Sequence, residues 1–315
     1  LGLPFFAVSG AGAHVLVPIA TVSAGLPGAH IALPAGASGA LVGSGVLVLV
    51  GLTLWLRNRR EVRFALGFVA VVLLIAGGAR LASRDVGEWD VVMCDVGQGD
   101  AMLVRAGRQT VLIDTGPDPE LLAHCLDRAR VESVDLLVVT HPHADHDGGI
   151  PALEGQWSPK RAWVCPLDAS TGAKLPHTKV ETVLASRTET VGSLSLEVLW
   201  PRSAEEARAL GAGEGGGEES ALNDCSISMR VEAPEWSVLT LGDLEPDAQE
   251  RLARSGLVKP VDLVKVAHHG SRRQAPELYE AAHAPLAVVG VGENTFGHPH
   301  PKTLAMFERQ GAVLR

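Results

Sequence analysis

Residues 1–56 contain no Asp, Glu, Lys or Arg, and a water-facing surface cannot be built from so long an uncharged stretch. Within it, Gly39 to Leu56 (GALVGSGVLVLVGLTLWL) is eighteen uncharged, mainly apolar positions. A helix rising 1.5 Å per residue needs roughly 20 such residues to cross a bilayer core. A second run, Phe64 to Ala79 (FALGFVAVVLLIAGGA), extends through Leu81 if Arg80 reaches for the interface. Helices buried in a soluble core would show a polar stripe at period 3.6, and these show none. We therefore expect a transmembrane helical hairpin over residues 37–83.

The loop between the two runs holds Arg57, Arg59, Arg60 and Arg63, which the positive-inside rule keeps cytoplasmic. Everything after residue 83 is then expected outside the cytoplasm, attached to the cell membrane. In residues 1–36, Pro4, Pro18, Gly25, Pro27, Gly28 and Pro34 interrupt any single helix, which predicts broken, membrane-associated segments. The chain opens on Leu1 without a basic segment ahead of its first apolar run, and is expected to be part of something longer.

Five arginines against Glu61 give residues 1–83 a net +4, so the remaining residues carry −13 of the overall −9. The two parts are built for different solvents. At 315 residues, more than one structural unit is expected. Four cysteines (Cys94, Cys125, Cys165, Cys225) are too few for a disulfide scaffold, and outside the cell any of three full pairings is open to them, as are buried free thiols.

From Glu88 onward the pattern changes to short β-rich runs alternating with helical ones. Strands are predicted at 89–94, 101–105, 110–114, 134–140, 161–165, 194–199, 226–231, 237–241, 262–266 and 286–289. Helices are predicted at 118–130, 203–210, 245–255, 274–283 and 301–310. Residues 211–220 (GAGEGGGEES) read as an acidic, Gly-rich mobile loop. This order predicts two facing mixed sheets with helices outside.

The chemistry concentrates at the end of the strand at 134–140, where Thr140 is followed by His141-Pro142-His143-Ala144-Asp145-His146-Asp147-Gly148-Gly149. Imidazole and carboxylate at this density are the ligand types of borderline transition metals. His141 and His143 alternate toward one metal, and Asp145 and His146, displaced by the turn, point to a second. Gly148 and Gly149 let the backbone pass close behind them.

The HxHxDH pattern of His141, His143, Asp145 and His146 resembles the metallo-β-lactamase superfamily. That resemblance implies an α/β fold, the αβ/βα sandwich, here preceded by transmembrane helices. It also implies further ligands: Asp243 bridging two metals, and one of His268 and His269, between which spacing does not choose. Asp114 is implied as the residue that holds a motif histidine in place. Where the superfamily supplies a third His to the first metal, this chain has Asn223-Asp224-Cys225-Ser226, and Asn223 or a water is expected to fill in. The more oxygen-rich ligand set admits manganese as well as zinc at two possible divalent sites.

Narrower motifs are Asp95-Val96-Gly97-Gln98-Gly99-Asp100, the strand containing Ser226, His268-His269-Gly270-Ser271, and Gly297-His298-Pro299-His300-Pro301 after Asn294. With them, residues 88–315 resemble the C-terminal β-lactamase-like domain of the ComEC family of DNA-uptake channels. The implied function is a metal-dependent nuclease that hydrolyses DNA, single-stranded or one strand of a duplex, at the outer face of the membrane during natural transformation. The implied partners are DNA, the membrane and other parts of the competence machinery. Asp145, Lys265 as a phosphate-holding cation and His298 as the proton donor to the leaving group are the candidate catalytic residues. Asp95, Gln98, Asp100, Asp114, Asn223, Ser226, Ser271 and Asn294 are the candidate supporting or substrate-binding residues. Against DNA stands the −13, since polyanion binders normally present basic surfaces. Two alternatives stay open: a membrane-tethered hydrolase of a small ester, lactone or phosphoester, and a non-catalytic domain that guides DNA.

Overall fold

The computed structural model describes residues 89–212 and 217–315, together with Gly45 and Val48. The chain divides into two compact units, Leu1–Ser83 and Arg84–Arg315. The segments expected at 1–36 and 37–83 fall outside the described residues, apart from Gly45 and Val48, both helical. Among the described residues no helix is long and apolar enough to cross a membrane.

The second unit is built on two sheets. The first runs in chain order: β1 (Val91–Met93), β2 (Met102–Ala106), β3 (Gln109–Ile113), β4 (Leu136–Val139), β5 (Arg161–Val164) and β6 (Lys179–Thr182). Its β1–β2 and β2–β3 pairs are antiparallel and the rest parallel. The second sheet contains β7 (Thr188–Val191), β8 (Leu194–Trp200), β9 (Ser228–Glu232), β10 (Ser237–Thr240), β11 (Leu263–Lys265), β12 (Leu286–Val288) and β13 (Val313–Leu314), again in chain order across the sheet. It too begins antiparallel and becomes parallel from the β10–β11 pair onward.

Side-chain alternation makes the layers. In β4 every residue is apolar, as a parallel strand covered on both faces requires. Leu136 and Val138 enter the core between the sheets with Val104, Trp163, Leu196 and Val238. Leu137 and Val139 pack outward with Leu122 and Leu126 of α1 (Pro119–Arg128). In the second sheet a register shift between Val198 and Trp200 places both Leu199 and Trp200 in the outer core. There they meet Leu252 of α6 (Pro246–Arg254), Leu278 of α7 (Pro276–Ala282) and Phe307 of α8 (Pro301–Gln310). Each such fully buried side chain stabilises the fold by roughly 1.5–3 kcal/mol relative to an exposed one.

The other α-helices among the described residues of the second unit are α2 (Ala144–Asp147), α3 (Thr171–Lys174), α4 (Ala204–Gly211) and α5 (Glu218–Asp224). Several features differ from the sequence reading, among them the two-residue edge strand β13, which was not expected. The edge strands β6 (KVET) and β7 (TETV) were not expected; an edge strand needs only one paired side, so their polar sequences carry no apolar signal. The expected loop 211–220 instead ends α4 at Gly211 and begins α5 at Glu218, with 213–216 outside the described residues. Cys94 and Cys125 form a disulfide, while Cys165 and Cys225 are buried free thiols, so none of the three full pairings forms. Asp118 positions Cys125 by capping α1, accepting the N–H groups of Glu120 at 2.7 Å and Leu121 at 3.2 Å.

Candidate metal centre

The site is assembled by the segments leaving the ends of β3, β4, β10, β11 and β12. After β3, Asp114 adopts the left-handed region (φ 59°) and its carboxylate turns back over β4. One oxygen accepts the Thr140 N–H at 2.7 Å and the other the Thr140 hydroxyl at 2.8 Å and the Nδ1 edge of His146 at 2.9 Å. Asp114 thereby fixes the His146 ring with Nε2 pointing into the site. His141 is fully buried, its Nδ1 beside the hydroxyls of Thr140 at 3.1 Å and Ser226 at 3.3 Å. Its Nε2 meets His143 Nδ1 at 3.0 Å, and its ring lies 4.1 Å from that of His146.

Asp243 comes in after β10, its N–H donating to the Ser226 hydroxyl at 3.0 Å. Its Oδ1 is 3.3 Å from His146 Nε2 and its Oδ2 is 3.2 Å from His269 Nε2. His268 and His269 both take left-handed backbone (φ 49° each), a strain of roughly 1–2 kcal/mol per residue that sends their rings in different directions. His269 is buried, its Nδ1 edge on the Gly290 carbonyl at 2.8 Å and its Nε2 3.2 Å from Asp145 Oδ2. His268 turns outward, with Nδ1 3.2 Å from Glu245 and Nε2 3.8 Å from Asp243. Of the two, His269 has the better placed inward nitrogen.

Lys265 was expected to present its ammonium to a phosphate. It is instead 3% exposed, ion-paired with Asp100 and donating to the Gly242 carbonyl at 3.2 Å, with Asp243 Oδ1 at 3.9 Å. Its charge balances buried carboxylates from behind the site. Asp100, expected in a supporting role, lies among the donors: ligand atoms of Asp100, His146, Asp243 and His269, all buried, fall within 4.8 Å of one another. Because Asp100 faces Lys265 and the Nδ1 side of His269 (3.5 Å), Asp145 is the carboxylate on the Nε2 side where the other donors converge.

Electrostatics follow from this crowding. Burial alone would lower His146, but the carboxylates of Asp243 and Asp114 outweigh it and lift the imidazole to about 10. Burial would raise Asp243, but His269, His146 and His268 hold it well below the usual carboxylate range. His141 is pushed well down, by burial first and then by His146. A divalent cation answers the same need. His146 Nε2 and Asp243 Oδ1 are buried and face each other without hydrogen-bond geometry, so an ion between them would satisfy both.

The other expected residues have distinct places. Gln98 accepts the Gly292 N–H at 3.3 Å and so ties the Asp95–Asp100 loop to the segment after β12, while Asp95 itself is exposed. Asn223 donates to Glu245 at 3.3 Å, and its Oδ1 is buried without a partner. Ser271 shapes the turn beyond His269, its hydroxyl donating to the Arg273 carbonyl at 3.3 Å. Asn294 organises the loop to His298, whose ring is 5.6 Å from that of His268. Sequence reasoning missed Glu245, which holds His268 and Arg273, and Glu219, 2.9 Å from His143 Nε2. Glu245 was legible only as a neighbour of Asp243, and Glu219 only as one of several acids beside a Gly-rich run.

Asp224 accepts the Glu245 N–H at 3.3 Å and is lifted to about 7, by burial first and by the Glu245 charge second. A carboxyl raised in the folded state contributes stability that is complete below its unfolded value, declines between about pH 4 and 7, and is gone above 7. Asp224→Asn, which keeps the accepting oxygen, should raise the melting temperature at pH 8 and leave it close to wild type at pH 3.5. A variant that melts equally with wild type at pH 8 would contradict this.

Residues 94–282 match the metallo-beta-lactamase superfamily. The chain belongs to that superfamily of metal-dependent hydrolases. Among curated proteins it is similar to ComE operon protein 3 of Bacillus subtilis (strain 168), 27% identical over 259 residues, covering 72% of this chain and 32% of the relative. It is also similar to competence protein ComA of Neisseria gonorrhoeae, 27% identical over 236 residues, covering 72% and 31%. These names are consistent with a ComEC-family competence protein, and the chain spans about a third of the length of the curated relatives it matches. Among solved structures, Tm1679, a metal-dependent hydrolase of the beta-lactamase superfamily, superposes with a TM-score of 0.51 at 16% identity, covering 71% of this chain and 94% of that one, a likeness of fold.

Proposed function

We propose that residues 88–315 are a metal-dependent phosphodiesterase that hydrolyses DNA beside a membrane channel during natural transformation. The observation that carries the reading is the convergence of His146 Nε2, His269 Nε2, Asp145 and Asp243 on one point, in a chain similar to ComE operon protein 3 and to competence protein ComA. The Cys94–Cys125 disulfide supports placing the unit outside the cytoplasm, where such bonds persist.

His146, His269, Asp145 and Asp243 would hold one divalent cation, manganese or zinc, and His141 and His143 a second whose protein shell is thinner. Such cations supply Lewis-acid polarisation of a phosphoryl oxygen and a more acidic water. The chain's own groups do the rest. Asp114 keeps His146 turned inward, Asp100 and Lys265 compensate each other behind the site, and Ser226 anchors the Asp243 backbone. His298, whose ring is 5.6 Å from that of His268, would pass a proton to the departing oxygen.

The net −13 of residues 84–315 is the one observation that favours a small ester, lactone or phosphoester as substrate. Metal analysis combined with cleavage of a labelled single-stranded oligonucleotide separates the readings. Asp145→Ala should lose both bound metal and cleavage while keeping the fold intact, melting as the metal-free wild type does, because this side chain is 35% exposed and at the edge of the cluster. Full metal content and full activity in that variant would refute the assignment. Rapid turnover of a lactone or thioester with no DNA cleavage would move the reading to the small-molecule hydrolase.

A further inference from the structure

Phe296 is 73% exposed, the most exposed large apolar side chain among the described residues. Leaving a Phe side chain in water forgoes roughly 1.5–3 kcal/mol of burial, so the position asks for an explanation. The ring is not on a loose tip. Asn294 Oδ1 accepts the N–H groups of Phe296 at 3.1 Å, Gly297 at 3.0 Å and His298 at 3.1 Å, and Asn294 Nδ2 donates to the carbonyls of Gly292 at 2.9 Å and His298 at 2.8 Å. The Phe296 ring is held 5.9 Å from His298 at a tilt of 31°, and His298 is 5.6 Å from His268, whose Nε2 is 3.8 Å from Asp243. Three rings thus lead from solvent to the metal centre.

We propose that Phe296, backed by His298, is a stacking platform for an unpaired nucleobase of single-stranded nucleic acid, next to the scissile phosphate. The inference rests on the phosphodiesterase reading and names its substrate class. The net charge disfavours binding through the phosphate backbone. A unit carrying −13 gains little from counterion release, and base stacking is the term that does not need a basic surface. A base paired inside a duplex keeps its faces covered and cannot use the ring.

The test is equilibrium binding of the detergent-solubilised full chain to a short single-stranded oligonucleotide carrying 2-aminopurine, with cleavage followed in parallel. Stacking quenches 2-aminopurine, so wild type should quench it on binding. Phe296→Ala should lose the quench and bind about 5–100-fold more weakly, the range for one lost base–aromatic stack. Phe296→Trp should restore both. An oligonucleotide with abasic sites should bind wild type as weakly as the intact one binds Phe296→Ala. In cleavage, the ratio of kcat/KM for the oligonucleotide to that for a small aryl phosphodiester should fall by the same factor in Phe296→Ala. Wild-type cleavage with unchanged binding and quenching in Phe296→Ala would overturn the platform and leave the phosphodiesterase intact. Phe296-dependent quenching in a chain that cleaves no phosphodiester would do the reverse. A wild type that neither binds nor cleaves overturns both.

Discussion

Replacing Asp243 with Asn will lower the hydrolytic rate by more than about 10⁴-fold, beyond the range of a lost general acid, and strip metal from the protein, with little change in the fold. Both carboxylate oxygens are committed to different histidines, Oδ1 at 3.3 Å from His146 and Oδ2 at 3.2 Å from His269. Asparagine keeps one neutral oxygen and replaces the other with an NH2 group, which has neither the charge nor a free electron pair to offer a cation. The backbone anchor to Ser226 does not involve the side chain, so the turn after β10 should survive. Each lost decade of rate corresponds to about 1.4 kcal/mol of transition-state stabilisation, and a carboxylate that joins two histidines of one ligand set holds the site on which both metal content and rate depend. His298→Ala should cost less, on the order of 10²–10⁴-fold, and should leave metal content at the wild-type level. Metal content by emission spectrometry, single-turnover cleavage and a melting curve on the same samples read all of this. Equal losses for the two variants, or full metal retention in Asp243→Asn, would show that the roles are wrongly divided.

The clustering at this site was legible because a metal site would restrict residue type. His141, His143, Asp145 and His146 stand within six residues of one another in the chain, and the structure gathers them with Asp114, Asp243 and His269 from other strand ends. Burial patterns were legible for the same kind of reason. Runs such as LLVV in β4, short and rich in β-branched residues, fit a strand covered on both faces. What stayed hidden depends on partners remote in sequence. Nothing near Lys265 in the chain announces that Asp100 neutralises it, and a strand lysine reads equally well as solvent-facing. The choice between His268 and His269 is made by two left-handed residues and the Gly290 carbonyl, which no spacing rule contains. The edge strands β6 and β7 are held by backbone pairing to β5 and β8, so their side chains carry no signal. Pairing Cys94 with Cys125 needed α1 to be capped at Asp118 and laid against the segment after β1, a tertiary fact.

Gly149→Ala should destabilise the unit by more than the roughly 1–3 kcal/mol usual for an overpacked core, and should loosen metal binding although Gly149 touches no ligand. A Cβ at this position would lie 2.1 Å from the Thr115 carbonyl oxygen and 3.0 Å from its carbon, both main-chain atoms that cannot rotate away. The two chain segments are fastened there. Gly149 N–H donates to the Gly116 carbonyl at 2.7 Å, and Thr115 donates to the His146 carbonyl from its N–H at 2.7 Å and its hydroxyl at 2.9 Å. Separating them moves Asp114 away from His146 and releases the ring that Asp114 orients. At roughly 2–4 °C per kcal/mol for a unit of this size, the melting temperature should fall by at least about 6–12 °C. Gly172→Ala is the matched control, since a Cβ there meets nothing within 4 Å. If Gly149→Ala melts and binds manganese or zinc as Gly172→Ala does, the close crossing behind His146 is not what holds the histidine in place.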